Sequence, residues 1–371
     1  MGMMNGRKQK EFLGPGFILS LLFLLTSCSY PHQKIIDDIQ IPTVLGFDKG
    51  EEGFTGTVSY IDFTEEENDG NEVFLEADGK NAETILQKID AQSSKPIEIG
   101  KLNLLVFGSE LASEGISYFT STICRDPLIG SNMFLAVAEG KAGELLKNGQ
   151  KINSNYIYNL IEHNSKDQNL PKPALQSFLF DYYGEGRDGT LPYLKINQKN
   201  KMEVNGLAIF KNDQVKLFLD RKEAFLYKIL KGRYLKGQTE FEIQKDDQKG
   251  VAVFTLLHGE NKKIVSGKSE NKVKFNIELQ GMVKDYPEWL DLSEAKNNIF
   301  LKNEMEKRVK EDLENLLFKF KDYNVDPLGI GDLVRAHSRN WDEEEFYQNA
   351  YDNVTYEIDL NIELLRAGIG E

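Results

Sequence analysis

The strongest structural signal in the chain lies near its end. Val354, Tyr356, Ile358, Leu360, Ile362 and Leu364 alternate with Thr355, Glu357, Asp359, Asn361 and Glu363. A period of two puts one set on each face of a β-strand, so residues 354–364 are predicted to form a strand with one buried face. Upstream, Leu301, Met305, Val309, Leu313, Leu316, Leu317 and Phe320 recur at the spacing of a single helical stripe. That spacing predicts a long amphipathic helix over 299–320. A chain that carries both periods must bury a sheet face and a helix stripe against each other.

The same two periods organise the rest. Val273, Phe275, Ile277 and Leu279 alternate with Lys274, Asn276 and Glu278, a further half-buried strand. Residues 204–210 and 215–219 read as strands around the turn 211–214, followed by a helix over 222–230 and a strand over 251–257. In the first half, 56–63 and 73–77 read as strands on either side of an acidic turn at 65–71. Residues 80–89 read as a helix, with Ala82, Ile85, Leu86 and Ile89 on one face. The run 102–107 is apolar without interruption, as in a strand buried on both faces. A helix over 110–124 and a strand over 134–138 come next, and no internal repeat is visible. The expected fold class is α+β, multi-domain, with mixed or antiparallel sheets each packed with helices. The expected division is an N-terminal α+β domain over 28–197 and a C-terminal α+β domain over 198–371, behind a leader at 1–27.

Residues 1–27 differ in character from the remainder of the chain. Arg7, Lys8 and Lys10 precede the apolar run 17–25, which ends in Leu25-Thr26-Ser27-Cys28. Basic, then apolar, then small residues is the layout of a secretory signal peptide. The run is nine residues long, and from Phe12 only fourteen with Gly14-Pro15-Gly16 inside it. A membrane span needs about 20 apolar residues, so a transmembrane anchor is disfavoured. A core helix would not sit behind a basic N-terminus and end in Thr-Ser-Cys-Ser. N-myristoylation fails as well, because Gly6 stands where Ser or Thr is required. Leu25-Thr26-Ser27-Cys28 resembles the lipobox of bacterial lipoproteins. The resemblance implies cleavage before Cys28 and a diacylglyceryl group on its sulfur, with Leu25, Thr26 and Ser27 forming the processing site.

Composition bears on this address. The cysteines are two, Cys28 and Cys124. With Cys28 carrying lipid, Cys124 has no intrachain disulfide partner. Packing alone must then hold the fold, which 371 residues permit. Removing residues 1–27 takes away Arg7, Lys8, Lys10 and Glu11 and moves the net charge from −14 to −16. So acidic a surface argues against nucleic acid, whose binding depends on neutralising phosphates. It also argues against adsorption to anionic lipid. Membrane attachment has to come from the lipid itself, and two or three acyl chains suffice for stable anchoring.

Motifs that carry chemistry are few. Gly184-Glu185-Gly186-Arg187-Asp188-Gly189 has the spacing of a dinucleotide-binding turn, but Leu191-Pro192 follows where a helix is required. It reads as an interdomain loop. Glu65, Glu67, Asp69, Gly70 and Glu76 fall at calcium-loop offsets, yet the flanks read as strands and not helices, so an acidic hairpin turn is the better reading. His32, His163, His258 and His337 show no zinc-ligand spacing. No Gly-x-Ser-x-Gly elbow occurs, and Cys124 has no general base near it in sequence. No catalytic, metal or cofactor-binding residue is assigned, no cofactor is expected, and the chain reads as a non-enzyme.

Two blocks of residues carry a family resemblance. The first runs from 73 to 149 and includes Asp78-Gly79-Lys80-Asn81-Ala82-Glu83-Thr84-Ile85, Glu110-Leu111-Ala112, Cys124-Arg125-Asp126-Pro127 and Gly140-Lys141-Ala142-Gly143-Glu144-Leu145-Leu146. The second contains Gly206-Leu207-Ala208-Ile209-Phe210-Lys211 and Asp326-Pro327-Leu328-Gly329-Ile330-Gly331, then Trp341 and the final strand to Arg366-Ala367-Gly368. Their order and spacing resemble the Ger(x)C family, the lipoprotein C subunits of spore germinant receptors, over nearly the whole chain. Departures are Ala367, where an Arg-Thr-Gly-like ending is common, and Lys101, near which many members carry histidine. Each motif also has a plain physical reading. Asp326-Pro327 favours a turn past the long helix, and Gly329 and Gly331 are natural stop and turn residues.

The resemblance implies a non-catalytic subunit of a nutrient germinant receptor. It would be lipid-anchored to the outer face of the spore inner membrane, with integral-membrane A and B subunits as partners. The alternative is a solute-binding lipoprotein that delivers a small ligand to a transporter. Such proteins are built from repeated βαβ units, a pattern that the hairpin-like strands here do not show.

Overall fold

In the computed structural model the described residues are 38–62, 71–126, 129–130, 132–148, 155–167, 169–232, 236–266 and 272–365. The lipobox at 25–28, the acidic turn expected at 65–71 apart from Asn71, and residues 366–368 lie outside them. Residues 40–371 pack as one unit containing two sheets. The expected α+β class with mixed sheets is the fold observed.

The first sheet has eight strands in the order β3-β2-β1-β4-β5-β6-β7-β8. These are β1 (Val44–Gly50), β2 (Gly53–Asp62), β3 (Asn71–Gly79), β4 (Leu104–Gly108), β5 (Phe134–Ala138), β6 (Thr190–Ile196), β7 (Met202–Lys211) and β8 (Gln214–Leu219). The four central strands β1, β4, β5 and β6 are parallel, and antiparallel hairpins extend the sheet at both ends. The boundary expected at 197/198 falls in the turn between β6 and β7, so residues on both sides of it contribute to this sheet.

The apolar run of β4 shows why the centre of the sheet has no alternation. Leu104 and Val106 enter one core, and Leu105 and Phe107 enter the other on the opposite face. A strand covered on both faces has no reason to be polar at every second residue. On one face lie α1 (Ala82–Asp90), α2 (Ser109–Glu114) and α3 (Ser117–Cys124), which contribute Ile85, Leu111 and Phe119 to one core. Asn81 caps α1 by accepting from Thr84 N at 2.8 Å. The single helix expected over 110–124 is broken. Gly115 has φ +135°, a conformation outside the reach of a helix, and the chain restarts where Ile116 N donates to Asp213 O.

The central strand β1 carries too weak a pattern to be read from sequence. Gly46, Asp48 and Gly50 interrupt it, and Asp48 is buried. Its carboxylate accepts from Ala142 N at 2.7 Å and Gly143 N at 2.8 Å, the start of α4 (Ala142–Asn148). Burial raises the Asp48 pKa against the pull of these two amides.

The second sheet has the order β12-β11-β10-β9, with β9 (Gly237–Lys245), β10 (Gln248–Ser266), β11 (Lys272–Asp285) and β12 (Thr355–Leu364). β9, β10 and β11 form an antiparallel meander, and β12 joins β11 in parallel after a crossover through the long helix α8 (Ala295–Asp322). All seven residues of the helical stripe are buried, as are Val273, Phe275, Ile277 and Leu279 of β11. Each fully buried leucine contributes about 1.5–3 kcal/mol. β12 is an edge strand, so Ile358 and Ile362 are buried while Tyr356, Leu360 and Leu364 are only partly covered.

One helix connects the two sheets. α7 (Arg221–Lys231) opens with a capping box in which Asp220 accepts from Glu223 N and Glu223 accepts from Asp220 N. Its apolar residues pack on β7, on β9 and β10, and on α8, so that one continuous core runs from the first sheet to the second. α5 (Tyr156–Asp167) and α6 (Leu175–Tyr182), neither of which stood out in the sequence, complete the covering of the first sheet.

Candidate functional site at the joint of the two halves

Two turns meet where the halves join. Gly184-Glu185-Gly186-Arg187-Asp188-Gly189 leads into β6, and Asp326-Pro327-Leu328-Gly329 leads from α8 into α9 (Ile330–Arg335). The first turn feeds a strand, so it is not a nucleotide-binding turn. It was expected as an interdomain loop, but it connects α6 to β6 within the first half and meets the second half only in space.

The turns interlock through main chain. Asp188 N donates to Asp326 O at 3.0 Å, and Asp332 N donates to Gly186 O at 2.8 Å. Gly186 N donates to Glu343 Oε1 at 2.7 Å. Close approach is possible because Gly186 has φ +74°, and a Cβ there would meet Asp332 N at 2.3 Å and the Gly331 carbonyl carbon at 2.5 Å. Gly140 has a similar φ of +72° but open space around it. Gly186→Ala is therefore expected to lose about 1–3 kcal/mol from backbone strain plus the cost of pushing two main chains apart. Gly140→Ala should lose the strain alone, and urea unfolding of the two variants side by side measures the difference.

Two buried carboxylates sit inside this joint. Asp326 Oδ1 accepts from Ile330 N at 2.8 Å, and Oδ2 accepts from Gly331 N at 2.7 Å and from the Tyr347 hydroxyl at 3.0 Å. Asp188 Oδ2 accepts from Asp326 N at 2.6 Å and from Lys211 Nζ at 3.2 Å. The Lys211 ammonium also lies 3.7 Å from the centre of the Tyr347 ring. Tyr347 belongs to a π-helical turn, Phe346–Ala350, and the following Tyr351 hydroxyl donates to Val325 O at 2.7 Å.

Burial sets the electrostatics. It pushes the Asp188 carboxyl up to about 6, against the opposing pull of the Lys211 charge and the Asp326 amide. Burial likewise raises Asp326 despite its two amide donors. Burial and then the charge of Asp326 hold the Tyr347 phenol far above its ordinary value, so it acts as a neutral donor. A cleft of about 690 Å³ adjoins this cluster, lined by Arg187, Asp188, Lys211, Asn324, Tyr347 and Gln348 among others.

The chemistry available is that of a clamp. The carboxylates are occupied by main-chain amides from the opposing turn or from the helix that follows. Among the described residues no group of three or more His, Cys, Asp or Glu is arranged to hold a metal ion. His337 Nδ1 is 2.8 Å from Leu333 O, and His258 Nε2 is 4.0 Å from Glu260. The predicted site residues Leu25, Thr26, Ser27 and Cys28 lie outside the described residues, as does His32. Asp326, Gly329 and Gly331 do form a turn after the long helix, as their sequence suggested. The roles of Asp188, Lys211, Tyr347 and Tyr351 were missed. A faint signal existed: an Asp four and five residues ahead of the two amides at the start of a helix is placed to accept from them.

Fold and joint together define an α+β protein of two sheets, locked by a buried carboxylate pair. The sequence profile for the spore germination protein N-terminal domain matches residues 32–196, and that for the spore germination B3/GerAC-like C-terminal domain matches residues 205–368. The chain belongs to the Ger(x)C family of spore germination proteins. It is 24% identical to the spore germination protein GerQC of Bacillus cereus over 358 residues, spanning 96% of this chain and 98% of that one. The crystal structure of the GerBC protein has the same fold, with a TM-score of 0.54 at 14% identity, covering 87% of this chain and 97% of that one.

Proposed function

We propose that this chain is the lipid-anchored, non-catalytic subunit of a nutrient germinant receptor. In this reading residues 1–27 are removed, and Cys28 carries the diacylglyceryl group at the outer face of the spore inner membrane. The two regions that match the family, 32–196 and 205–368, dock on integral-membrane A and B subunits. The observation that carries the reading is the combination of Leu25-Thr26-Ser27-Cys28 with family profiles that begin just after it and continue almost to the end. Among the described residues no helix is long and apolar enough to cross a membrane. The net charge of −16 left after removal of residues 1–27 gives no electrostatic attraction to anionic lipid, which leaves attachment to the acyl chains.

Cys28→Ala is expected to abolish incorporation of labelled fatty acid, move the protein from the membrane to the soluble fraction, and impair germination with nutrients. Membrane fractionation, labelling and nutrient germination assays on the variant check this. Full membrane retention with normal germination would overturn the assignment.

A further inference from the structure

A separate cleft of about 510 Å³ lies between α6, the 184–189 loop, the 327–329 turn and α9. Two lysines from the second half reach it, Lys231 at the end of α7 and Lys263 on β10. Lys231 Nζ donates to Pro327 O at 2.7 Å, and Lys263 Nζ donates to Leu328 O at 2.9 Å. Lys231 also hydrogen-bonds the Tyr227 side chain. An ammonium has three N–H donors, so neither lysine is saturated by these partners. Among the described residues neither lies within ion-pair distance of a carboxylate. Arg187 supplies a third cation: its Nη1 is 3.4 Å from Asp332, its guanidinium lies 4.2 Å over the Phe180 ring, and its buried Nε has no hydrogen-bond partner.

The opposing charges on the cleft are Asp181 and Asp332, and Asp332 is already held by Arg335 at 2.7 Å. Three cations against two carboxylates leave the lining one positive charge in excess, within a chain whose net charge is −14. Phe180, Leu328 and Leu333 give the same cleft an apolar wall. Burial, and after it the neighbouring charge of Lys231, pushes the Lys263 ammonium down to about 8, with only a weaker opposing pull from the fully buried Asp326. Burial raises the Asp181 carboxyl, against the charges of Lys231 and Arg187. The two lysines are thus a cation pair with no carboxylate in direct contact, in a cleft of the size that takes small molecules.

We propose that this cleft binds a small organic monocarboxylate, whose oxygens accept hydrogen bonds from Lys231 and Lys263 while its apolar body lies against Phe180, Leu328 and Leu333. A monoanion fits better than phosphate, because a second negative charge would face Asp181. The inference stands apart from the membrane anchor and from the receptor partners.

The test uses the full chain in detergent micelles, with 4-methylpentanoate as probe and calorimetric titration as readout. Saturable one-site binding is expected, with a Kd of roughly millimolar or tighter. The neutral 4-methylpentanamide and inorganic phosphate should bind at least about ten-fold more weakly. Affinity should fall about ten-fold from pH 7 to pH 9, as Lys263 loses its proton. Lys263→Met should weaken binding by a similar factor. Phe180 is 64% exposed, so Phe180→Ala will fold, and it should weaken 4-methylpentanoate while leaving acetate unchanged. Absence of saturable binding, a flat pH profile, or equal binding of phosphate would each overturn the proposal. Should Lys263→Met fail to fold, the pH profile and Phe180→Ala decide.

Discussion

Replacing Asp326 with alanine is expected to destabilise the protein by about 3 kcal/mol or more. The side chain is fully buried and accepts from Ile330 N, Gly331 N and the Tyr347 hydroxyl. Removing it leaves three donors with no acceptor, each costing roughly 1–3 kcal/mol when buried. Relief of a desolvated carboxylate offsets part of that sum. Asp326→Asn should be milder, because its amide oxygen can still accept from Ile330 N. Its NH2 group, however, then faces the Gly331 amide. Urea unfolding of both variants, with amide exchange at Ile330 and Gly331, measures the effect. An alanine variant within about 1 kcal/mol of wild type would show that the clamp contributes little.

The second large effect is a dependence on pH. Burial raises Asp188 from 3.8 to about 6 in the folded protein, while the unfolded chain keeps the ordinary value. Between about pH 4 and pH 6 the native state holds a proton that the unfolded state has released. Stability therefore falls as pH rises through that window, at up to about 1.4 kcal/mol per pH unit. The total is roughly 3 kcal/mol, fully present below about pH 4 and lost above about pH 6. Asp188→Asn cannot titrate, and its amide oxygen can still accept from Asp326 N and Lys211. The variant should gain on wild type as pH rises from 4 to 7, by an amount approaching that total. Unfolding free energies of both proteins across this range give the difference curve, and parallel curves would refute the assignment. Asp326 shifts in the same direction, and its charge is one of the causes that raise Asp188, so the difference curve reports Asp188 together with its coupling to Asp326.

The joint explains why a loop resembling a nucleotide turn is rich in glycine. Gly186 lets two main chains come within hydrogen-bond distance, and Asp188 then reaches the amide of Asp326. Residues with the composition of a ligand-binding turn are used here against the protein's own backbone. The cleft lined by Lys231 and Lys263 differs in that its cations, besides donating to Pro327 O and Leu328 O, line a cleft of about 510 Å³.

Much of the architecture was legible in the sequence. The stripe of α8 and the alternation of β11 and β12 were plain, because each buries one face and leaves the other in water. β4 and β5 were legible as unbroken apolar runs, since both faces are covered. β1 escaped because Gly46, Asp48 and Gly50 break its pattern, and the buried Asp48 makes sense only beside the amides of α4, about ninety residues away. The break in the 110–124 helix turned on Gly115 and on a contact with Asp213 from a distant hairpin.

By itself the sequence determined the class of fold, the family, and the Leu25-Thr26-Ser27-Cys28 segment whose meaning is a matter of linear order. These depend on neighbours a few residues apart, where periodicity and motif spacing act. Only the tertiary structure decided that Asp188 meets Asp326, and that Lys231 and Lys263 line one cleft. Those pairs are separated by 138 and 32 positions, and their energetics arise from a low-dielectric interior that both halves build together.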